Sequence, residues 1–248
     1  MKHAQNLLRS SALLAFSIVA ALACATNAGQ SDTRPEGLPE GINDEFLSQD
    51  LDVNAFVERF EGESREVYAA RTVIVAALAI PAGSLVADIG AGTGFFSRLF
   101  AEAVGDRGSV YAVEISPNFL EHLRSMKSEG KIGTLQIVEG TGNSVELASA
   151  SVDLAFICDV YHHFEEPSAT LASLHDALRP GGSLVVIDFE RIPGKSPDRL
   201  LEHVRAGKEV FRAEIEAAGF ELADEIHLDE LKNNYMLRFK RVSASTEN

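Results

Sequence analysis

Five short apolar runs, set between stretches of helical spacing, limit what this 248-residue chain can fold into. Leu85–Ile89, Ser109–Ile115, Leu135–Val138, Val152–Cys158 and Ser183–Phe189 each read as a strand with little polar interruption, the pattern of strands buried on both faces. Phe95–Val104, a stretch that starts with Ser116 as cap and Pro117 as first helical residue and stops near Gly130, and Pro167–Arg179 carry helical periodicity between them. Strands alternating with helices imply βαβ units, hence a parallel sheet covered by helices on both faces. The end of the chain departs from this pattern. Lys208–Ala218 reads as a helix stopped by Gly219, and Glu221–Leu228 and Asn234–Val242 then follow with no helix between them, as in an antiparallel hairpin. Upstream of the first strand, Leu51–Gly62 and Ser64–Ala79 have helical spacing.

The first residues belong to a different class of sequence. Lys2 and Arg9 precede an apolar stretch, Ser11–Ala23, too short for the roughly 20 residues of a membrane span but suited to the core of a secretory signal. Ala23-Cys24-Ala25 offers a small-residue cleavage site, and Ala21-Leu22-Ala23-Cys24 approximates a lipobox, with Cys24 the residue that would carry a lipid anchor. The expected organisation is a signal over 1–25, a flexible linker over 26–50 that is rich in Pro, Gly and acids, and a single domain over 51–242. Within that domain, 51–83 would be N-terminal helices, 84–190 the ligand-binding core and 191–242 a C-terminal helix and hairpin, with 243–248 a disordered tail. Lys2 and Arg9 should remain inside, so the domain is expected in the periplasm or anchored to a membrane outside the cytoplasm. A start codon further downstream would leave it cytoplasmic.

A formal net charge of -15 repels phosphate backbones, and no Lys/Arg cluster offsets it, so nucleic acid is not expected as a partner. The two cysteines, Cys24 and Cys158, lie in unrelated settings and build neither a disulfide framework nor a thiolate metal site.

The most informative turn follows the first strand: Asp88-Ile89-Gly90-Ala91-Gly92-Thr93-Gly94-Phe95. A glycine-rich strand-to-helix turn lets a ligand approach the backbone at the point where doubly wound sheets bind cofactors. The dinucleotide spacing G-x-G-x-x-G would need glycine at position 95, where the chain has Phe95. Asp88, two residues before the first glycine, is unwelcome beside a pyrophosphate and suits an ammonium group. Glu114 ends the second strand, where an acid can accept both hydroxyl hydrogens of an adenosine ribose. The pair therefore favours an adenosine ligand with an amino-acid end.

Asp88 to Gly94 resembles motif I of the class I S-adenosylmethionine (SAM)-dependent methyltransferases, and Glu114 matches their ribose-binding acid. Asp153–Phe164 resembles their fourth strand and the loop after it, Leu178–Asp188 their fifth-strand motif, and Ala217-Ala218-Gly219-Phe220 with the two tail strands their C-terminal end. The resemblance spans roughly Val67 to Arg241, with the motifs in order. It implies a Rossmann-like, doubly wound, seven-stranded sheet, mostly parallel with an antiparallel last strand. It also implies SAM as cofactor, held by Asp88, Gly90, Ala91, Gly92, Gly94, Glu114, Ile115, Thr141 and Asp159. Where many relatives carry an adenine-binding acid after the third strand, this chain has Thr141 and Asn143.

In such an enzyme the protein mostly aligns the acceptor and excludes water, so catalytic residues leave a weak trace in sequence. Asp159, His162 and His163 after the fourth strand are the catalytic candidates, a histidine serving as base where the acceptor must lose a proton. A metal held by Asp159, His162 and His163 is not expected, because adjacent residues rarely converge on one ion. Asp188, Glu190, Arg191 and His203 could line an acceptor pocket. Arg205 could pair with an acidic acceptor but reads better as a surface charge. Arg59–Glu61 and Arg65–Arg71 are expected to form a helical lid, with Phe56 and Phe60 in the core. The expected activity is methyl transfer to a small molecule. Its rivals are an NAD-dependent oxidoreductase and an exported domain that binds a ligand without turnover.

Overall fold

The computed structural model describes residues 34–130 and 132–242. The signal over 1–25, Cys24 and the tail over 243–248 lie outside them. No helix among the described residues is long and apolar enough to cross a membrane.

Four short helices come first: α1 (Asp44–Leu47), α2 (Val53–Phe60), α3 (Glu66–Ala69) and α4 (Arg71–Leu78). The core then runs β1 (Leu85–Ile89), α5 (Phe95–Val104), β2 (Ser109–Glu114), α6 (Pro117–Ser128), β3 (Leu135–Glu139) and β4 (Val152–Cys158). A 3-10 turn over Tyr161–His163 follows, then α7 (Pro167–Ala177), β5 (Leu178–Phe189), α8 (Asp198–His203), α9 (Lys208–Ala217), β6 (Phe220–Glu225) and β7 (Asn234–Arg241). The seven strands form one sheet in the order β3-β2-β1-β4-β5-β7-β6. Pairings from β3 through β5 are parallel, and β7 runs antiparallel to both β5 and β6. The doubly wound sheet with a terminal hairpin is thus the one anticipated from the alternation of elements.

Period-two alternation sorts the strand side chains onto two cores. On β4, Ala155 and Ile157 face a layer completed by Leu171 and Leu174 of α7 and by Phe211 and Ile215 of α9. Leu154 and Phe156 face the other layer, with Ile74 of α4, Phe100 of α5 and Leu123 of α6. Phe156 is fully buried and packs edge-on to Phe100 with ring centroids 5.0 Å apart. Burying a side chain of this size is worth about 1.5–3 kcal/mol, so these paired layers fix which face each helix covers.

Three features differ from expectation. Helix α6 begins with Pro117 at its first turn, but the Ser116 hydroxyl makes no capping bond; the Ser116 N–H instead donates to Glu114. Strand β5 starts five residues early, at Leu178, because Val152 pairs with Leu178 before the register shifts and Leu154 takes Ser183. Residues 34–50 are not the flexible linker expected of them. Leu38 and Ile42 are buried, and Asn43 donates through Nδ2 to the carbonyl of His163 at 3.1 Å. Apolar residues at 38, 42 and 46 give this stretch something to bury despite its Pro and Gly content.

Candidate functional site

The sheet order places β1 beside β4, so the chain reverses its winding direction there and the loops leaving the two strands part to open a crevice. A cavity of about 790 Å³ occupies it. The glycine turn after β1, the end of β2 and the Asp159–Phe164 segment after β4 line the cavity, and parts of α1, α2 and α8 cover it.

Of the expected cofactor residues, Asp88, Gly90, Ala91, Gly92, Glu114, Ile115, Thr141 and Asp159 all border the cavity. Asp88 is 4% exposed; the Ser97 hydroxyl donates to its Oδ2 at 2.6 Å, and the Ser97 backbone N–H also bonds to the carboxylate. Burial lifts its carboxyl to about 7, partly opposed by the Ser97 bond, with the nearby Glu114 adding to the rise. Glu114, 6% exposed, is held differently. Its Oε2 accepts from the Gly92 N–H at 2.7 Å, and its Oε1 accepts from the N–H groups of Ile115 and Ser116 at 2.7 and 2.9 Å. Burial raises Glu114 too, opposed by these backbone donors.

Gly94 does not border the cavity. Its φ is +75°, and a Cβ there would lie 2.8 Å from Leu123 Cδ2, so glycine at this position lets α6 approach the turn rather than a ligand. Thr141 does border it, its hydroxyl donating to Asn143 Oδ1 at 3.1 Å, whereas Asn143 is not among the lining residues.

Asp159 adopts a left-handed φ of +53°. Its Oδ2 accepts from Arg65 Nη2 at 2.8 Å and its Oδ1 from Asn234 Nδ2 at 2.7 Å. Burial pushes its carboxyl up and Arg65 offsets part of that. With both oxygens engaged, Asp159 ties the entry to α3 and the start of β7 to the cavity wall, a positioning role rather than that of a free base.

The other end of the cavity is built from histidines. His162 and Asp188 are 1% and 0% exposed, and His162 Nδ1 faces both Asp188 oxygens, at 2.8 and 3.1 Å. An imidazole nitrogen facing two carboxylate oxygens carries the proton, so Nδ1 donates and Nε2 is left free of the Asp188 carboxylate. The His162 and Phe189 N–H groups also donate to Asp188, which fixes the carboxylate from the end of β5. His163 Nδ1 lies 3.2 Å from Asn43 Oδ1, an oxygen that can only accept. Burial, with the neighbouring histidines, lowers His163 to about 2. His203, at the end of α8, completes the group: its ring centroid lies 5.0 Å from that of His162 and 5.1 Å from that of His163. Its basicity is lowered by burial, by His162 and by Arg59 and Arg199, with Asp188 opposing.

Sequence reasoning weighed the two adjacent histidines with Asp159 and set a metal aside; it missed that α8 delivers His203 to them. The signal available was only a histidine at the end of a six-residue helix. Asp188 backs His162 instead of lining the pocket. Arg205 is neither a surface charge nor an acceptor contact, because its side chain is 2% exposed and paired with Glu214 at 2.6 Å. Glu190 pairs with Lys208, and Arg191 donates to the carbonyls of Leu201 and Val204 behind α8. Phe56 packs in a small core with Leu51 and Phe119; Phe60 packs against that core and, with Arg59 and Arg65 of the segments expected as a lid, also lines the cavity. That lid is fastened to the glycine turn by Glu61, which accepts from the Thr93 hydroxyl at 2.8 Å and pairs with Arg98.

Comparison with known proteins agrees with this geometry. Residues 87–186 match the family model described as a methyltransferase domain. The ubiquinone/menaquinone biosynthesis C-methyltransferase UbiE of Haemophilus ducreyi is 29% identical over 110 residues, covering 44% of this chain and 42% of that protein. The chain thus aligns with less than half the length of that relative. A SAM-dependent methyltransferase from Aquifex aeolicus superposes with a TM-score of 0.66 at 19% identity, covering 77% of this chain and 99% of that one. The [4+2]-cyclase SpnF superposes with a TM-score of 0.60 at 16% identity, covering 71% and 82%. These likenesses fix the fold, and the cyclase shows that the fold also houses other reactions. Residues 87–186, the part of the chain that matches the methyltransferase-domain model, are built around the β1–β4 crevice of a seven-stranded Rossmann-like sheet.

Proposed function

We propose that this protein is a SAM-dependent methyltransferase acting on a small molecule bound at the histidine end of the cavity. The observation that carries the reading is the state of Asp88, a buried carboxylate whose carboxyl is lifted to about 7 even though the hydroxyl and the backbone N–H of Ser97 both bond to it. A buried acid so poorly compensated fits a ligand that brings a cation. SAM supplies an ammonium group, a ribose diol, an adenine and, at its sulfonium, an activated methyl. Asp88 would hold the ammonium and Glu114 the ribose hydroxyls. The open backbone of Gly90 and Gly92 would lie against the amino-acid end, and Ile115 and Thr141 would border the adenine. Glu114 is suited to this because its three backbone donors orient the carboxylate before any ligand arrives. The lid over 53–69 excludes water, and the histidine end receives the acceptor's nucleophilic atom. The dinucleotide alternative is disfavoured by Phe95, whose buried ring occupies the position of the third glycine.

Calorimetric titration of the purified protein with SAM, S-adenosylhomocysteine and NAD tests this reading. Micromolar binding of the two adenosyl ligands, lost in Asp88→Ala, supports it; a folded protein that binds neither overturns it. Turnover on a panel of small acceptors then separates an enzyme from a domain that only binds.

Export belongs to the same proposal. Residues 1–25, with their two basic residues, apolar core and small-residue site, would direct the domain out of the cytoplasm, with Cys24 a lipidation candidate. SAM is charged and crosses membranes poorly, so an exported enzyme would need its own supply. Fusing residues 1–50 to a reporter active only outside the cytoplasm tests this, and a fusion that is expressed but inactive refutes it.

A further inference from the structure

We propose that His162, His163 and His203 form a binding site for a divalent transition-metal ion of the zinc class, opening onto the acceptor end of the cavity. Each of the three side chains offers a ring nitrogen within 4.8 Å of the other two. Three imidazole ligands with a fourth position facing a cavity is the arrangement of a zinc site that keeps room for water or substrate. Nitrogens bound to zinc at 2.0–2.1 Å stand about 3.3 Å apart, so the group must tighten modestly. His203 is the exposed member, at the end of the six-residue α8, and is free to make most of that movement.

The residues behind the rings give a second, independent argument. A ligating histidine generally donates its other N–H to a carboxylate or carbonyl, which fixes the ring and leaves one lone pair for the metal. His162 does this to Asp188 at 2.8 Å, and His163 is placed to do it to Asn43 Oδ1 at 3.2 Å. His162 is thereby left with Nε2 free of Asp188, while the half-buried His163 ring is held from the side of Ile42 and Asn43. The three come from separate parts of the chain: the turn after β4 supplies two, and α8 the third. Asp188 also supplies a buried negative charge beside the site. Arg59 and Arg199 line the same cavity with the opposite sign, and Glu45 pairs with Arg59 at 3.3 Å. An all-imidazole set favours zinc, cobalt, nickel or copper over magnesium and calcium, which require oxygen ligands.

An ion held here would take an oxygen, nitrogen or sulfur atom of the acceptor as its fourth ligand and lower the proton affinity of that atom, the proton leaving to solvent. This role rests on the methyltransferase reading, whereas ion binding does not. Coordination through Nε2 would replace service of His162 as a general base, since one lone pair cannot do both.

The test is a Co²⁺ titration of tag-free protein stripped with chelator, followed by its visible absorption, with Zn²⁺ competition against a chromophoric chelator. The expected result is one tight equivalent with ligand-field bands in the visible. His203→Ala and His163→Ala should lose those bands and weaken binding at least tenfold, and Asp188→Asn should weaken it about 10–100-fold. Because His203 is exposed, its alanine variant should fold, and SAM binding by each variant reports that the domain is intact. Absence of a tight equivalent in the wild type, or binding unchanged in His203→Ala and His163→Ala, overturns the metal site. Loss of SAM binding in the wild type would overturn the methyltransferase reading alone.

Discussion

The Ser97 hydroxyl reaches back from the first turn of α5 to the Asp88 carboxylate at the tip of β1, 2.6 Å away and out of contact with water. That bond only partly offsets the burial of Asp88, so the apoprotein carries a carboxyl near 7 against an ordinary 3.8. A carboxyl whose folded value is raised binds its proton more tightly in the folded state. Its favourable contribution is therefore complete below pH 3.8 and disappears as pH rises through about 7. The wild type should lose up to about 4 kcal/mol across that window, and Asp88→Asn should lack this dependence while binding no cofactor. Melting temperatures of both proteins between pH 4.5 and 8.5 check it, and parallel curves would refute it.

Gly90 has a φ of +69°, and a Cβ there would stand 2.7 Å from both γ carbons of Val160. Gly90→Ala should cost about 2–4 kcal/mol from the backbone strain and the clash together. Adding Val160→Ala should recover the steric part and leave the strain. Urea midpoints of the three variants measure this; no recovery in the double variant would show that the clash is not the cause.

Glu61 joins the lid to the glycine turn through Thr93 and Arg98. Glu61→Ala should weaken SAM by about 5–30-fold, the loss of one or two charge-assisted bonds, and speed hydrogen exchange over 53–69. Unchanged exchange there would mean that the lid is held by its phenylalanines instead.

Asn43 is held to His163 by two contacts, to its ring and to its carbonyl. Asn43→Leu keeps the side chain's bulk while removing both. The expectation is an acceptor KM raised several-fold with SAM affinity unchanged, measured once an acceptor is in hand. An equal loss for both ligands would place Asn43 in general stability.

Much of the sheet could be read from the sequence because β1 and β4 are apolar on both faces, a pattern that few other structures satisfy. Asp88 and Glu114 were legible because each is an acid at the end of an apolar strand. Gly94 was misjudged for an instructive reason: a glycine that admits a ligand and one that admits a helix look alike until Leu123 is in place. His203 and Asp188 were legible only as pocket candidates, because their partnership with His162 is long-range and neither position carries a periodic signal. The stretch around Ile42 and Asn43 read as a tether because its apolar residues are sparse, and only the cavity edge gives them something to cover.

That stretch has a consequence for how such a protein can change. Ile42, Asn43 and Phe46 line the cavity from upstream of the first strand, and under the proposed function this puts part of what would select the acceptor there. The matched family region begins only at residue 87. Under that reading, exchanging this leading segment should shift acceptor preference while leaving Asp88 and Glu114 in place. A truncation beginning at residue 51 would keep the engine and discard part of the lock.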